Sequence, residues 1–306
     1  MITNQQKHLI KDALQREYAT LGSWQKVGVK VEANKSTVSR AMQQPHLWHE
    51  VSDAMWVNVA ARLNVALNRA DWTVVDTFNT QIVTQTLHDA QHEALFMAIS
   101  EKAGSGKTAS IHHYWTADTA GQVFVLQCEE WHKRPFLFRL CQVLGVQTRH
   151  TDNVDTLTGG IVRFFKDKAK SGRPLLVLDE ADKLRPAALR FLIPLYNRLE
   201  DELGLVIAGT EFLKKHIKQG VARAHKGYDE IDSRLGRTYI ELTGATYDDV
   251  AKICRANGIE QPDTIAEIWQ EAGPKQRPLG GTPTQLVDDL RRVKRLIKRE
   301  RLNLTR

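Results

Sequence analysis

Three stretches of this 306-residue chain carry residue types that could handle a nucleoside triphosphate. The first is Glu101-Lys-Ala-Gly-Ser-Gly-Lys-Thr108, placed directly after the apolar run at 94–100. A buried strand feeding a glycine-bearing loop, then Gly-Lys-Thr at the mouth of a helix, is the sequence form of a phosphate-binding P-loop. Glycines at 104 and 106 let the backbone turn its N–H groups inward onto an anion, and the helix that follows adds its positive end. Ala103, Gly104, Ser105 and Gly106 would cradle the phosphates. Lys107 would reach the β- and γ-phosphates, and the Thr108 hydroxyl would ligate Mg²⁺. Glu101 stands where the pattern opens with glycine, so its side chain is expected to point out of the loop.

The second stretch is Arg173-Pro-Leu-Leu-Val-Leu-Asp179-Glu180-Ala-Asp182. Four apolar residues running into two acids give a Walker B pattern. Asp179 would hold Mg²⁺ through water, and Glu180 would polarise the attacking water. The third is the apolar run at 203–209, which ends in Thr210. A polar residue there would sit between the other two motifs and orient the lytic water.

These motifs imply ATP and Mg²⁺, and they need a scaffold that brings strand ends together. Residues 94–100, 122–127, 175–178, 203–209 and Arg237-Thr-Tyr-Ile-Glu-Leu242 read as strands. Helical patterns at 131–144 and before 169 alternate with them. Alternation of this kind predicts an α/β fold, a parallel sheet with helices on both faces and the ligand at the strands' carboxyl ends.

Upstream, Leu9, Ala13, Leu14 and Tyr18 have helical spacing. Residues 24–40 then resemble a helix-turn-helix: Val27 and Val31 apolar, Gly28 where two helices approach, Asn34 as a cap and Val38 on the second helix. Lys35, Ser36, Thr37 and Arg40 would lie at the second helix's exposed end, where phosphates and base edges are contacted. Glu32 occupies the turn position where such motifs usually carry glycine. Pro45 follows, and Trp48, Met55, Trp56, Val59 and Leu63 close a small core. Residues 68–93 read as a connector in which Asp71-Trp-Thr-Val-Val is ambiguous and Phe78, Ile82 and Leu87 mark a helix.

Downstream, helices are expected at 246–257 and around 265–269, a loop at 274–283, and an amphipathic helix from about Thr284. Residues 291–306 carry eight basic residues, Arg306 the last, against Glu300 alone, while the whole chain is only +7. A concentrated basic segment points to a polyanionic partner. No apolar run approaches the roughly 20 residues of a membrane span, and the N-terminus lacks a secretory pattern. Cys128, Cys141 and Cys254 are scattered as packing residues would be, which suits a reducing cytoplasm.

Ile231-Asp-Ser233-Arg234-Leu-Gly-Arg237, just ahead of the last strand, makes the chain resemble the AAA+ ATPases. There an arginine after serine reaches into a neighbouring subunit's ATP; Arg234 matches that position and Arg237 is the reserve. The C-terminal helices resemble the AAA+ lid. Lids often carry an arginine near the start of such a helix, and 281–285 has none, which leaves Arg291 or Arg292. A helix-turn-helix module (1–67), a connector (68–93), an AAA+ core (94–243) and a helical lid with a basic tail (244–306) resemble, in that order, the phage Mu transposition protein B family.

That resemblance implies an ATP-dependent, largely non-specific DNA binder encoded by a bacterial mobile element or prophage. It would oligomerise along duplex DNA as a filament or ring, present target DNA to a transposase and disassemble on hydrolysis. Further core contacts to DNA would be Lys133, Arg134, Lys183 and Arg185. Two other readings stay open: a helicase-loader ATPase favouring single-stranded DNA, and a sequence-specific regulator gated by ATP.

Overall fold

The structure is a computed structural model that describes residues 2, 4–42, 48, 51–65 and 72–304. Pro45, Asp71 and Arg306, singled out above, lie outside the described residues. Four parallel strands form the central sheet: β1 (Phe96–Ser100), β2 (Val123–Gln127), β3 (Leu175–Asp179) and β4 (Gly204–Gly209), in the order β1-β4-β3-β2. The two inner strands, β3 and β4, are buried at every residue, which is why their sequences are unbroken apolar runs.

Side chains alternate across the sheet with period two. Phe96, Ala98, Phe124, Leu126, Leu176, Leu178, Leu205 and Ile207 face one core, shared with α7 (Lys133–Val143), α8 (Val154–Ala169) and α10 (Leu192–Leu199). Ile99, Val123, Leu175, Val177, Val206 and Ala208 face the other, under α5 (Phe78–His92) and α6 (Lys107–Ala117). The α/β architecture with helices on both faces is therefore as the sequence implies.

The fifth strand differs. Residues 237–242 are reduced to one bridge, in which Ile240 pairs with β1 through Ile240 N to Ala98 O (2.8 Å) and Ser100 N to Ile240 O (3.0 Å). The next ladder bond is diverted: the Leu242 amide donates to Glu101 Oε2 at 3.1 Å instead of to the strand. At the other end Arg237 takes φ 56°, outside the extended region, so the ladder cannot start earlier.

The N-terminal helices α1 (Asn4–Leu21), α2 (Trp24–Lys30), α3 (Lys35–Met42) and α4 (Asp53–Arg62) join the first core without a break. Gly28 is needed where α2 meets the turn: a Cβ there would lie 2.6 Å from Ala33 O. Glu32 adopts φ 51°, the left-handed geometry glycine usually supplies in such a turn. Its carboxylate accepts from Arg62 and, at 3.2 Å, from Gln142 on α7. Lys30 Nζ to Glu17 Oε2 at 2.7 Å ties α2 to α1 inside the module, and the Lys168 ammonium on the carbonyls of Thr20 and Gly121 fastens the module to the sheet layer.

The chain continues from β4 into α11 (Glu211–Ala222) and α12 (Tyr228–Arg234), with the short helix α9 (Pro186–Leu189) earlier in the core. The C-terminal part has its own core around Val250, Ile265, Trp269, Val293 and Ile297. It comprises α13 (Tyr247–Ala256), α14 (Pro262–Ala272), a hairpin of β5 (Lys275–Leu279) and β6 (Thr282–Leu286), and α15 (Leu290–Leu304). The expected loop at 274–283 is thus part of a hairpin turning at Gly280-Gly281, and the last helix starts at 290 rather than near 284. All three cysteines are buried and unpaired, with burial pushing the Cys141 thiol up to about 12 and Cys254 to about 11. Among the described residues no helix is long and apolar enough to cross a membrane.

Candidate active site

The strand order itself assembles the site. β4 lies between β1 and β3, so Thr210 at its end sits between the P-loop after β1 and the acids ending β3. Gly104 (φ 92°) and Gly106 (φ 94°) both take left-handed backbone, and Gly106 leads straight into α6. Lys107 is buried; its ammonium donates to Glu101 O (2.6 Å), Lys102 O (2.9 Å) and Ser105 Oγ (3.0 Å). Burial lowers its pKa, against the nearby charges of Glu101, Asp179 and Asp182, which raise it.

Thr108 Oγ1 donates to Asp179 Oδ2 at 2.7 Å, so two oxygen donors from the two motifs already stand together. Asp179 is only 3% exposed, and burial raises its pKa despite the bonds from Thr108 and the Glu180 amide. Glu180 follows in the left-handed region (φ 55°), an unusual backbone for a side chain of its size and a strain of the kind kept at functional sites. Burial alone would raise the Glu180 pKa. Bonds from Lys183 Nζ (2.6 Å) and Gln127 Nε2 (3.0 Å), with the charges of Lys183 and Arg291, hold it below its ordinary value.

A cleft of about 1180 Å³ gathers Ala103 to Thr108, Asp179, Glu180 and Thr210. The donor set fits a magnesium nucleotide: positive-φ glycines at a helix start for phosphates, a buried ammonium among them, and a hydroxyl beside a carboxylate for the metal. Glu101 does point away from the loop interior, and it has work there. Oε1 accepts from the Lys102 amide at 2.9 Å and Oε2 from Leu242.

Some participants were not assigned from the sequence. Asp182 accepts from the Thr210 hydroxyl (2.6 Å) and amide (3.2 Å), so it sets the orientation of that side chain. Buried Asn79 donates to Ser105 O (3.1 Å) and accepts from the Thr243 amide (3.1 Å), bracing the loop. The lid is latched onto the P-loop by Leu290 N to Gly104 O at 2.9 Å, and Arg291 lines the cleft. Of the two arginines left open, Arg291 is the one in the cleft; Arg292 stands near Gly273. No motif announces these partners, because each depends on a tertiary approach.

Other expected residues lie elsewhere. Arg234 is not in this chain's cleft: its Nη2 donates to Asn197 (2.7 Å) and Glu230 (3.3 Å), and it packs over Tyr196. Arg237 is paired with Asp229 at 2.9 Å. Lys35 and Ser36 are exposed on α3, Thr37 is half-buried and Arg40 is exposed. Arg134 is engaged by the carbonyls of His150 and Asp152, Arg185 by Glu130 at 2.5 Å, and Lys183 by Glu180. Lys133 begins α7, half-buried.

A parallel sheet with a P-loop, a Walker B pair and a polar residue between them defines a P-loop nucleotide-binding core. Residues 90–217, the stretch that holds all three nucleotide motifs, match the AAA domain family model. Cdc6p from Pyrobaculum aerophilum is similar over 77% of this chain and 65% of its own, at 15% identity and a TM-score of 0.55. The Thermotoga maritima RuvB Holliday junction branch migration motor is similar over 74% and 62%, at 16% identity and a TM-score of 0.42. This chain thus spans less than two thirds of the length of either protein. No curated protein matches it by sequence.

Proposed function

We propose that this protein is an ATP-hydrolysing switch that binds duplex DNA largely without sequence preference. In this reading it oligomerises on DNA, delivers it as target and stimulates a transposase. Residues 1–67 serve as the DNA-binding module, 68–93 as connector, 94–243 as the ATPase core and 244–306 as lid. The observation that carries the reading is the make-up of the cleft. Its walls include α1 and the end of α4, through Ala13, Arg16 and Ala60, and the lid, through Leu290 and Arg291, as well as the catalytic loop. What occupies the cleft is therefore felt by the helices that precede the core.

Residues of this chain divide the work. The amides of the P-loop and Lys107 would bind the phosphates; Thr108 and Asp179 would hold Mg²⁺, which would supply positive charge against the phosphates. Glu180 takes the proton of the attacking water, and Thr210, oriented by Asp182, positions it. Arg234, with Arg237 as reserve, completes the site of the neighbouring subunit, which makes assembly depend on ATP. Lys35, Ser36, Thr37 and Arg40 touch DNA, and assembly multiplies weak contacts.

Electron microscopy on random-sequence duplex DNA tests this with ATP, ADP and no nucleotide. Wild type is expected to form filaments or stacked rings with ATP only. Lys107→Ala should form none, and Glu180→Gln should give long-lived assemblies. Equal DNA binding by both variants with and without ATP would refute the switch. Preference for single strands would favour the helicase-loader alternative, and one high-salt footprint the regulator.

A further inference from the structure

A second groove, of about 460 Å³, lies on the outer face of α11. Phe212, Lys215, His216, Gln219 and Arg223 follow one another along that face at helical spacing. Phe212 is 60% exposed, an unusual placement for a large apolar ring, and the Lys215 ammonium stands 5.7 Å from its centroid. Buried Tyr228 packs behind two of the lining residues, His216 and Gly220. Its ring packs so closely on the helix that a Cβ at Gly220 would lie 2.3 Å from it, and His216 stacks on it. Residues 211–227 carry Lys214, Lys215, Lys218, Arg223 and Lys226 against Glu211 alone. Lys214 and Lys218 are neutralised by Glu241 and Asp232. Lys215, Arg223 and Lys226 have no ion pair among the described residues.

We propose that this groove binds a short stretch of single-stranded nucleic acid, with a base on Phe212 and backbone phosphates at Lys215 and Arg223. Cations alternating with an exposed aromatic face match the phosphates and base faces of an unpaired strand. A duplex hides its base faces in the stack, and an acidic peptide has none to offer. The eight residue steps from Lys215 to Arg223 span roughly 12 Å, the length of about three stacked nucleotides. Asp182 also reaches this groove at the end away from Arg223; its oxygens accept from the Thr210 amide and hydroxyl, so it keeps its charge and links the groove to Thr210. The Phe212 amide in turn donates to Thr210 Oγ1 at 3.4 Å. A strand seated here therefore lies one residue from the side chain that positions the lytic water.

Groove binding stands apart from the proposed duplex binding by α3; only its effect on turnover rests on the ATPase reading. The test uses the full chain and a labelled 15-nucleotide oligothymidylate, followed by fluorescence anisotropy across a salt series. Phe212→Ala is expected to weaken binding about tenfold, the loss of one stacked base. Lys215→Glu with Arg223→Glu should reduce the salt slope by about 1.4, two phosphate contacts on a single strand. Unchanged melting temperature and unchanged MgATP binding show that these exposed substitutions leave the fold intact. The variants should also lose strand-stimulated hydrolysis while keeping the basal rate. The inference is overturned if wild type does not bind the oligomer, if both variants bind it like wild type, or if polyglutamate competes equally well. Absence of hydrolysis in wild type with binding intact would remove the ATPase reading and leave the groove.

Discussion

Replacing Glu101 with glutamine isolates what a carboxylate does at the first position of the P-loop. Its two oxygens hold the amides of Lys102 and Leu242, and its charge is the largest of the nearby charges that keep Lys107 protonated. A glutamine keeps one acceptor oxygen and turns a donor toward the other amide, which costs about 1 kcal/mol. In a protein of this size that lowers the melting temperature by about 2–4 °C. Against this, the triphosphate no longer meets a like charge. At an effective dielectric near 20 and within about one Debye length, that repulsion is on the order of 1 kcal/mol. The expected result is MgATP binding roughly fivefold tighter, by the factor of ten per 1.36 kcal/mol, in a slightly less stable protein. Calorimetric titration with ATP analogues and a thermal melt of the same sample read both effects. An affinity that is unchanged or weaker, alongside the lower melting temperature, would refute the electrostatic argument. It would make Glu101 a pin for residue 242 and nothing more.

Three further outcomes follow from the same geometry. Gly104→Ala must place a Cβ 2.3 Å from Asp289 Oδ1 at a φ of 92°; it should undock the lid and cut nucleotide affinity at least tenfold, measured by titration. Asp179 has a raised folded pKa, so its contribution to stability is full below the unfolded value and is lost as pH rises through the folded one. Asp179→Asn should therefore stabilise the metal-free protein at pH 7, with the gain fading at acidic pH in urea melts, while hydrolysis is lost. Gly28→Ala, with its Cβ 2.6 Å from Ala33 O, should cost about 1–3 kcal/mol in urea unfolding without changing MgATP affinity.

The nucleotide site was legible because its parts are local: glycines, a lysine and acids at strand ends need only the strand order to meet. The missing fifth strand was not, since Arg237-Thr-Tyr-Ile-Glu-Leu242 has strand-like residues throughout. Its pairing fails at Leu242 because a carboxylate 141 positions away takes the amide. The sequence of 274–283 suggests a loop because Pro278, Gly280, Gly281 and Pro283 interrupt any run, whereas an isolated two-stranded hairpin tolerates proline. Arg291 enters the cleft because the hairpin delays the helix to 290. The α11 groove has no sequence signature, because its lysines have the spacing of an ordinary solvated face and only the fold pairs Lys214 and Lys218 with Glu241 and Asp232.

One continuous segment then links the parts that act. β4 ends in Thr210, which is held by Asp182 and opens α11; α12 follows with Arg234, and the chain returns along β1 to Leu242, tied to the P-loop through Glu101. Thr210 and Leu242 are held by hydrogen bonds to motif residues, while α11 meets α12 through apolar packing around Ile217, Tyr228 and Ile231. Such bonds are directional and are lost over a few tenths of an ångström, whereas apolar contacts yield gradually. A small shift in the P-loop, where phosphate oxygens would compete with Glu101 O and Lys102 O for the Lys107 ammonium, would thus reach residue 242 through Glu101.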